Sequence, residues 1–256
     1  MALDAAADPL ALPRSARLVA WGNAALSGRV SLDEAVDRVV AGDLPHRVVG
    51  LPAEDGPVGL SLALGRMRAE GVRGLRLALP AAGDPDGLAG PPAFTALAVD
   101  AGEAVLTAGL PAYGLVPSGD ARTVRWSAYD VTPMASAGTL AEADRELGEA
   151  VREATALLAA LDVAHWDAPA MTALARLRSD AGDGLAPGYP ARAHRVLASA
   201  RRVAAIAALA RRGPGGAVSA GQMALRAEAL LPLERAARRG IVAACNAVLE
   251  PARGSA

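Results

Sequence analysis

Tyr113-Gly114-Leu115-Val116 and Thr123-Val124-Arg125-Trp126-Ser127-Ala128-Tyr129 flank the turn sequence Pro117-Ser118-Gly119-Asp120. In the second arm Val124, Trp126 and Ala128 alternate with Arg125, Ser127 and Tyr129, the period of a strand with one buried face. Turn formers between two such arms predict a β-hairpin, with Trp126 as a core anchor. The hairpin decides the fold because the chain changes character around it. Upstream, strand-like runs alternate with helical segments. From Thr139 onward the periodic segments are all helical.

Working upstream, His46 to Leu51 and Leu75 to Leu79 read as strands ending at Pro52 and Pro80. Val58 to Glu70 and a segment around Phe94 to Ala101 read as helices, so strand–helix alternation predicts right-handed crossovers and a partly parallel sheet. Gly50-Leu51-Pro52-Ala53-Glu54-Asp55-Gly56 resembles Ala78-Leu79-Pro80-Ala81-Ala82-Gly83-Asp84, as a repeated βα unit would. Before these runs, Arg17 to Leu26 has helical spacing, and Ser31-Leu32-Asp33-Glu34 is a capping box opening a second helix.

Downstream, Thr139-Leu140-Ala141-Glu142 is another capping box, opening a helix to about Ala160. Asp167 with Pro169 starts a further helix, Ala191 to Arg212 forms a long one, and Ser219-Ala220-Gly221-Gln222 opens the last, with Pro232 as a kink. The expected fold is mixed α/β: a small mixed parallel/antiparallel sheet domain followed by an all-helical C-terminal half of about four helices. The expected units are 1–135, with two N-terminal helices, and 136–256, packed against it.

Composition narrows the chemistry. Of 256 residues, 52% are hydrophobic and 21% charged, with a net charge of -1, which describes a globular chain with no overall pull toward nucleic acid or anionic lipid. Every basic residue is Arg, so P-loop NTPases, pyridoxal enzymes and protein kinases, each of which needs a Lys, are excluded. With one cysteine, Cys245, and only His46, His165 and His194, thiolate zinc sites and HExxH proteases are excluded too. No apolar run reaches the roughly 18 residues that span a bilayer. Met1 to Arg14 lacks the features of a signal peptide, and the cytoplasm is the expected location.

The acidic loops at the strand ends are the strongest ligand candidates. Asp84 and Asp86 could hold a hard cation, and Glu54 and Asp55 would join them if the two strands were parallel neighbours. Arg76 could meet an anionic ligand there. Asp-Pro and Asp-Gly are equally ordinary turn formers. Arg192, Arg195, Arg201 and Arg202 could grip phosphates, but they lie off the apolar stripe Val196, Ala200, Val203, Ala204, Ala207, as a solvated surface face does. Gly59-Leu60-Ser61-Leu62-Ala63 faintly resembles a nucleophile elbow, yet Ser61 is expected inside a helix, well beyond the strand. His46 and the His165-Trp166-Asp167 run read as structural, and Cys245 as inert core.

Trp21-Gly22-Asn23-Ala24, the Leu77 to Pro85 stretch and Ala101-Gly102-Glu103-Ala104-Val105 resemble conserved uncharacterised proteins of high-GC Gram-positive (actinobacterial) bacteria. That resemblance implies a bacterial cytoplasmic housekeeping or regulatory protein and supplies no catalytic residues. The leading expectation is a non-enzymatic interaction protein acting through helical surfaces, with a protein partner or self-association and no cofactor. The first alternative is a Mg²⁺-dependent or nucleotide-binding enzyme using the acidic loops. The second is nucleic-acid binding through the C-terminal arginines.

Overall fold

The computed structural model describes residues 11–52, 54–85, 87–119, 122–132, 138–160, 184–212 and 220–250. Asp86, the His165-Trp166-Asp167 run, the helix start at Asp167 and the Ser219 cap lie outside the described residues. In chain order the elements are α1 (Arg14–Leu26), α2 (Leu32–Val40), β1 (His46–Val49), β2 (Val58–Gly59), α3 (Leu60–Ala69) and β3 (Leu75–Ala78). They continue with α4 (Pro92–Ala101), β4 (Ala104–Thr107), β5 (Tyr113–Gly119), β6 (Val124–Asp130), α5 (Leu140–Ala160), α6 (Ala191–Arg212) and α7 (Ala220–Asn246), and α7 ends in a 3₁₀ turn, Ala247–Leu249.

The six strands form one mixed sheet in the order β2-β1-β6-β5-β4-β3. Among the described residues only β1 and β6 pair in parallel, with Val48 opposite Trp126; the other four pairs are antiparallel. The crossovers expected around α3 and α4 therefore do not make parallel neighbours of their flanking strands. Across α4, β3 and β4 pair antiparallel, and across α3 the flanking strands are separated by most of the sheet.

Two further details differ from expectation. Val58 and Gly59 are not helical but add a two-residue strand to β1. Pro117, Ser118 and Gly119 belong to β5 and not to the turn, with Pro117 opposite Trp126. A ring without an N–H is tolerated because β4 pairs with β5 only at Gly114 and Leu115, leaving the outer side of Pro117 unpaired.

The pleat sends alternate side chains to two cores. Leu75, Leu77, Val105, Leu115, Val124 and Trp126 face α1, α3 and the C-terminal helices, while Ala78, Leu106 and Val116 pack against Phe94 and Ala98 of α4. The first core runs without a break into Leu140 and Leu147 of α5, Val196 and Ala200 of α6, and Leu233, Ala237 and Ile241 of α7. Alanine and glycine permit close helix approach there: a Cβ on Gly240 would stand 2.9 Å from the Ala200 Cβ.

Local signals explain the helix starts. Ser31 Oγ accepts from Glu34 N–H at 3.0 Å, and the box at Thr139 closes in both directions, with Thr139 N–H donating to Glu142 at 2.8 Å and Glu142 N–H to Thr139 Oγ1 at 3.3 Å. His46 is structural: its Nδ1 accepts from Trp126 Nε1 at 3.2 Å, joining β1 to β6 from inside the core.

The strand β3 forms one edge of the sheet, yet its backbone is not left open. Asn23 of α1 accepts from Leu75 N–H at 2.7 Å and donates to Leu75 C=O at 2.9 Å. Asn246 of α7 does the same for Leu77, at 2.8 and 3.1 Å. These are the only two asparagines in the chain. Each amide presents the donor and acceptor that a neighbouring strand would have supplied.

Candidate functional site

The loop after β3 is held by a tight turn in which Ala81 and Asp84 exchange backbone hydrogen bonds at 2.9 Å, with Gly83 at φ +76° supplying the left-handed residue. That turn aims the Asp84 side chain at α7. Arg238 pairs closely with its Oδ2, and Arg235 Nε lies 3.4 Å from the same oxygen. Asp84 thus joins sheet and helices across 154 residues of sequence.

Beside this clamp lies a cleft of about 270 Å³. Its apolar wall includes Leu79, Ala143, Val242 and Ala243; its polar rim includes Asp84, Glu142, Glu146, Arg238 and Arg239. Three parts of the fold meet there: the β3 loop, the first turns of α5, and α7. The charged groups engage one another. Arg239 Nη1 stands 3.8 Å from Glu146, and Glu142 is tied to the Thr139 cap. Each carboxylate of the rim thus faces a guanidinium group or closes a helix cap within the fold.

The other predicted ligand residues do not gather at this cleft. Tracing the pairings from β1 through β6, β5 and β4 makes β1 and β3 antiparallel, with three strands between them. Glu54 and Asp55 therefore leave the opposite end of the sheet from Asp84, and the expected convergence does not occur. Glu54 pairs with Arg66 of α3, and Asp55 is exposed. Arg76 alternates with Leu75 and Leu77, so it faces the α4 side, away from the cleft. Partial burial lowers its pKa, and its Nε has no hydrogen-bond partner. The resemblance between the two strand ends reflects local turn chemistry and not sheet position.

The arginines of α6 divide. Arg192 bonds Asp144 of α5 at 2.9 Å, Arg201 is half-buried, and Arg195 and Arg202 are exposed. With Arg239 on Glu146, the acidic helix takes up part of the basic surface that a phosphate backbone would need. Ser61 is the second residue of α3, directly after β2, closer to a strand-to-helix turn than expected. His46 does not complete a triad with it, because its two ring nitrogens face Trp126 and, 3.6 Å away, Asp43. Burial pushes the Cys245 thiol up to about 12, which leaves it inert at neutral pH. Among the described residues no three His, Cys, Asp or Glu side chains come together as a metal site, and no helix is long and apolar enough to cross a membrane.

Sequence reasoning missed Arg238, Arg239 and the asparagine pair. Arg238 and Arg239 stood in an Arg-rich stretch where density carries no information, since Arg is the only basic side chain in use. Asn23 did offer a signal: it is an amide on an otherwise apolar stretch of α1, and such a group must find partners when buried.

Residues 15–141 match the family model described as Rv1486c-like protein, N-terminal domain, and residues 141–242 match the Rv1486c-like protein, C-terminal domain. The chain is 30% identical, over an alignment of 283 residues, to the "Uncharacterized protein Rv1486c" of Mycobacterium tuberculosis strain H37Rv, covering 93% of this chain and 98% of that protein. The same identity and coverage hold for the "Uncharacterized protein MT1533" of strain CDC 1551. No solved structure matches the chain. Two adjoining family models and a relative aligned over nearly the full length of both chains place this protein in the Rv1486c-like family.

Proposed function

We propose that the protein is a cytoplasmic, non-enzymatic binding protein whose ligand is a small molecule held in the cleft between residues 1–135 and 136–256. The carrying observation is the cleft's construction: an apolar wall, a mutually paired charged rim, and contributions from both halves of the chain. The ligand would lay an apolar body on Leu79, Val242 and Ala243 and exchange hydrogen bonds with the Asp84–Arg238 pair. Magnitude favours a small molecule over a protein. About 270 Å³ approaches the low end of ligand pockets, whereas a stable protein interface takes roughly 800 Å² from each partner.

Association through the helical faces has weaker support. Leu231 is 51% exposed and Val151 is 37% exposed, but apolar residues scattered singly are ordinary on a monomer. The cytoplasmic assignment rests on the lone, buried Cys245.

The test is a thermal-shift screen of a metabolite library against the wild type and Val242→Trp, which fills the cleft from a half-buried position. A true ligand at a hundred times its Kd stabilises the wild type by about 2.7 kcal/mol and leaves Val242→Trp unmoved. Equal stabilisation of both proteins, or none of the wild type, rejects the reading.

A further inference from the structure

At the opposite end of β3 lies a second cavity of about 270 Å³, bounded by the end of α1, the segment entering β3, Pro187 to Pro190 and the 3₁₀ turn after α7. Two arginines line it, Arg29 and Arg73, and no acidic side chain does. We propose that this cavity binds the phosphate group of a small molecule.

In a chain whose only basic side chain is Arg, arginines in number mean little; what matters is whether each has an acid. Arg14 and Arg17 meet Asp43, Arg66 meets Glu54, Arg192 meets Asp144, Arg211 meets Glu234, and Arg235 and Arg238 meet Asp84. Arg29 and Arg73 have no ion pair among the described residues: Asp33 and Glu34, the acids nearest Arg29 in sequence, lie exposed in the first turn of α2 and do not line the cavity, and the acids beside Arg73 and the 3₁₀ turn are engaged elsewhere. Glu70 accepts from the Tyr113 hydroxyl at 2.7 Å, and Glu250 accepts from Leu140 N–H at 2.7 Å.

The other polar groups of the wall are also spoken for. Asn23 is bound to Leu75, Ser27 donates to the Asn23 carbonyl at 2.8 Å, and Tyr189 donates to the Cys245 carbonyl at 2.8 Å. Among the side chains of the wall, the guanidinium forks carry the charged donors open to an occupant; Arg73 commits one N–H to the Arg68 carbonyl at 3.2 Å. Arg29 is seated against Gly188, where any Cβ would collide with its guanidinium. Two planar forks suit a doubly charged tetrahedral phosphate better than a singly charged planar carboxylate. The volume leaves room for a phosphomonoester with a short polar body.

The experiment titrates the full chain with inorganic phosphate, glycerol phosphate and acetate, using calorimetry and phosphorus NMR. Inorganic phosphate or glycerol phosphate should bind with a Kd of about 1 mM or tighter. Arg29→Gln and Arg73→Gln should each weaken binding about tenfold, and the double variant should remove it. Both arginines are exposed, so an unchanged melting temperature verifies the fold. Ser27→Trp, which blocks the cavity from an exposed position without changing charge, should cause the same loss. Arg238→Gln, in the other cleft, should leave phosphate binding untouched, which separates this inference from the proposed function. Failure of the wild type to bind either phosphate at about 10 mM overturns the assignment. So does undiminished binding by the double variant, or acetate binding as tightly as phosphate.

Discussion

The two edges of the sheet are protected by different means. At one, β2 is two residues long and offers almost no ladder to an incoming strand. At the other, β3 is a full four-residue strand whose outward backbone groups are taken by Asn23 and Asn246. A short strand ends the sheet locally. Side-chain amides end it only by bringing α1 and α7 alongside, and helices laid against a strand edge fill the space above its ends poorly. Both cavities lie there, one at each end of β3, each walled on one side by α7 or the turn that follows it. The edge sealed from a distance is therefore the edge with room for ligands.

Substitutions should separate the two edges. Asn23→Ala strands a buried N–H and C=O of Leu75 and should cost about 2–4 kcal/mol in urea unfolding. Asn246→Ala acts on partly buried groups of Leu77 and should cost about 1–3 kcal/mol. At the β2 edge, Val58→Ala removes a half-buried side chain and should cost under about 1 kcal/mol. If that order were reversed, β2 and not the asparagines would be the critical edge.

A smaller effect is pH-dependent and confined to the β1 side. His46 is buried on the core side of β1, and burial outweighs Asp43, opposed also by Arg17 and Arg14, to hold its pKa below the ordinary 6.5. The unfolded chain then binds the proton first, so stability is full above pH 6.5 and falls as pH drops below it. At lower pH Asp43 adds a second loss below its ordinary 3.8, because the Arg14 hydrogen bond holds its carboxyl well down. Urea midpoints measured from pH 7.5 to 5 should fall in the wild type, and the part due to the imidazole should vanish in His46→Gln. Smallest of all, Arg192→Gln breaks an exposed pair and should cost at most about 1 kcal/mol, and less in high salt.

Much of the local architecture was legible in the residues. The alternation around Trp126, the boxes at Ser31 and Thr139, and the long Ala191–Arg212 helix all follow from periods of two or 3.6 and from hydroxyl capping, interactions that span a turn or less. The same reasoning mistook Val58-Gly59 for helix, since a two-residue strand has no period to detect. It also placed Pro117 in a turn, because nothing nearby in sequence shows that β5 is unpaired on that side.

Residue content settled that the chain uses Arg and no Lys and that no disulfide forms within it, while capping boxes and helical periodicity settled that helices dominate the described residues after Thr139. Tertiary structure alone decided that β1 and β3 run opposite ways, that Asp84 finds Arg238 while Glu54 finds Arg66, and that two arginines remain without acids beside a cavity. The physical reason is range. Capping and periodicity act between neighbours, whereas strand order and ion-pair partners are set by how whole elements pack, joining residues as far apart as Leu77 and Asn246, 169 positions along the chain.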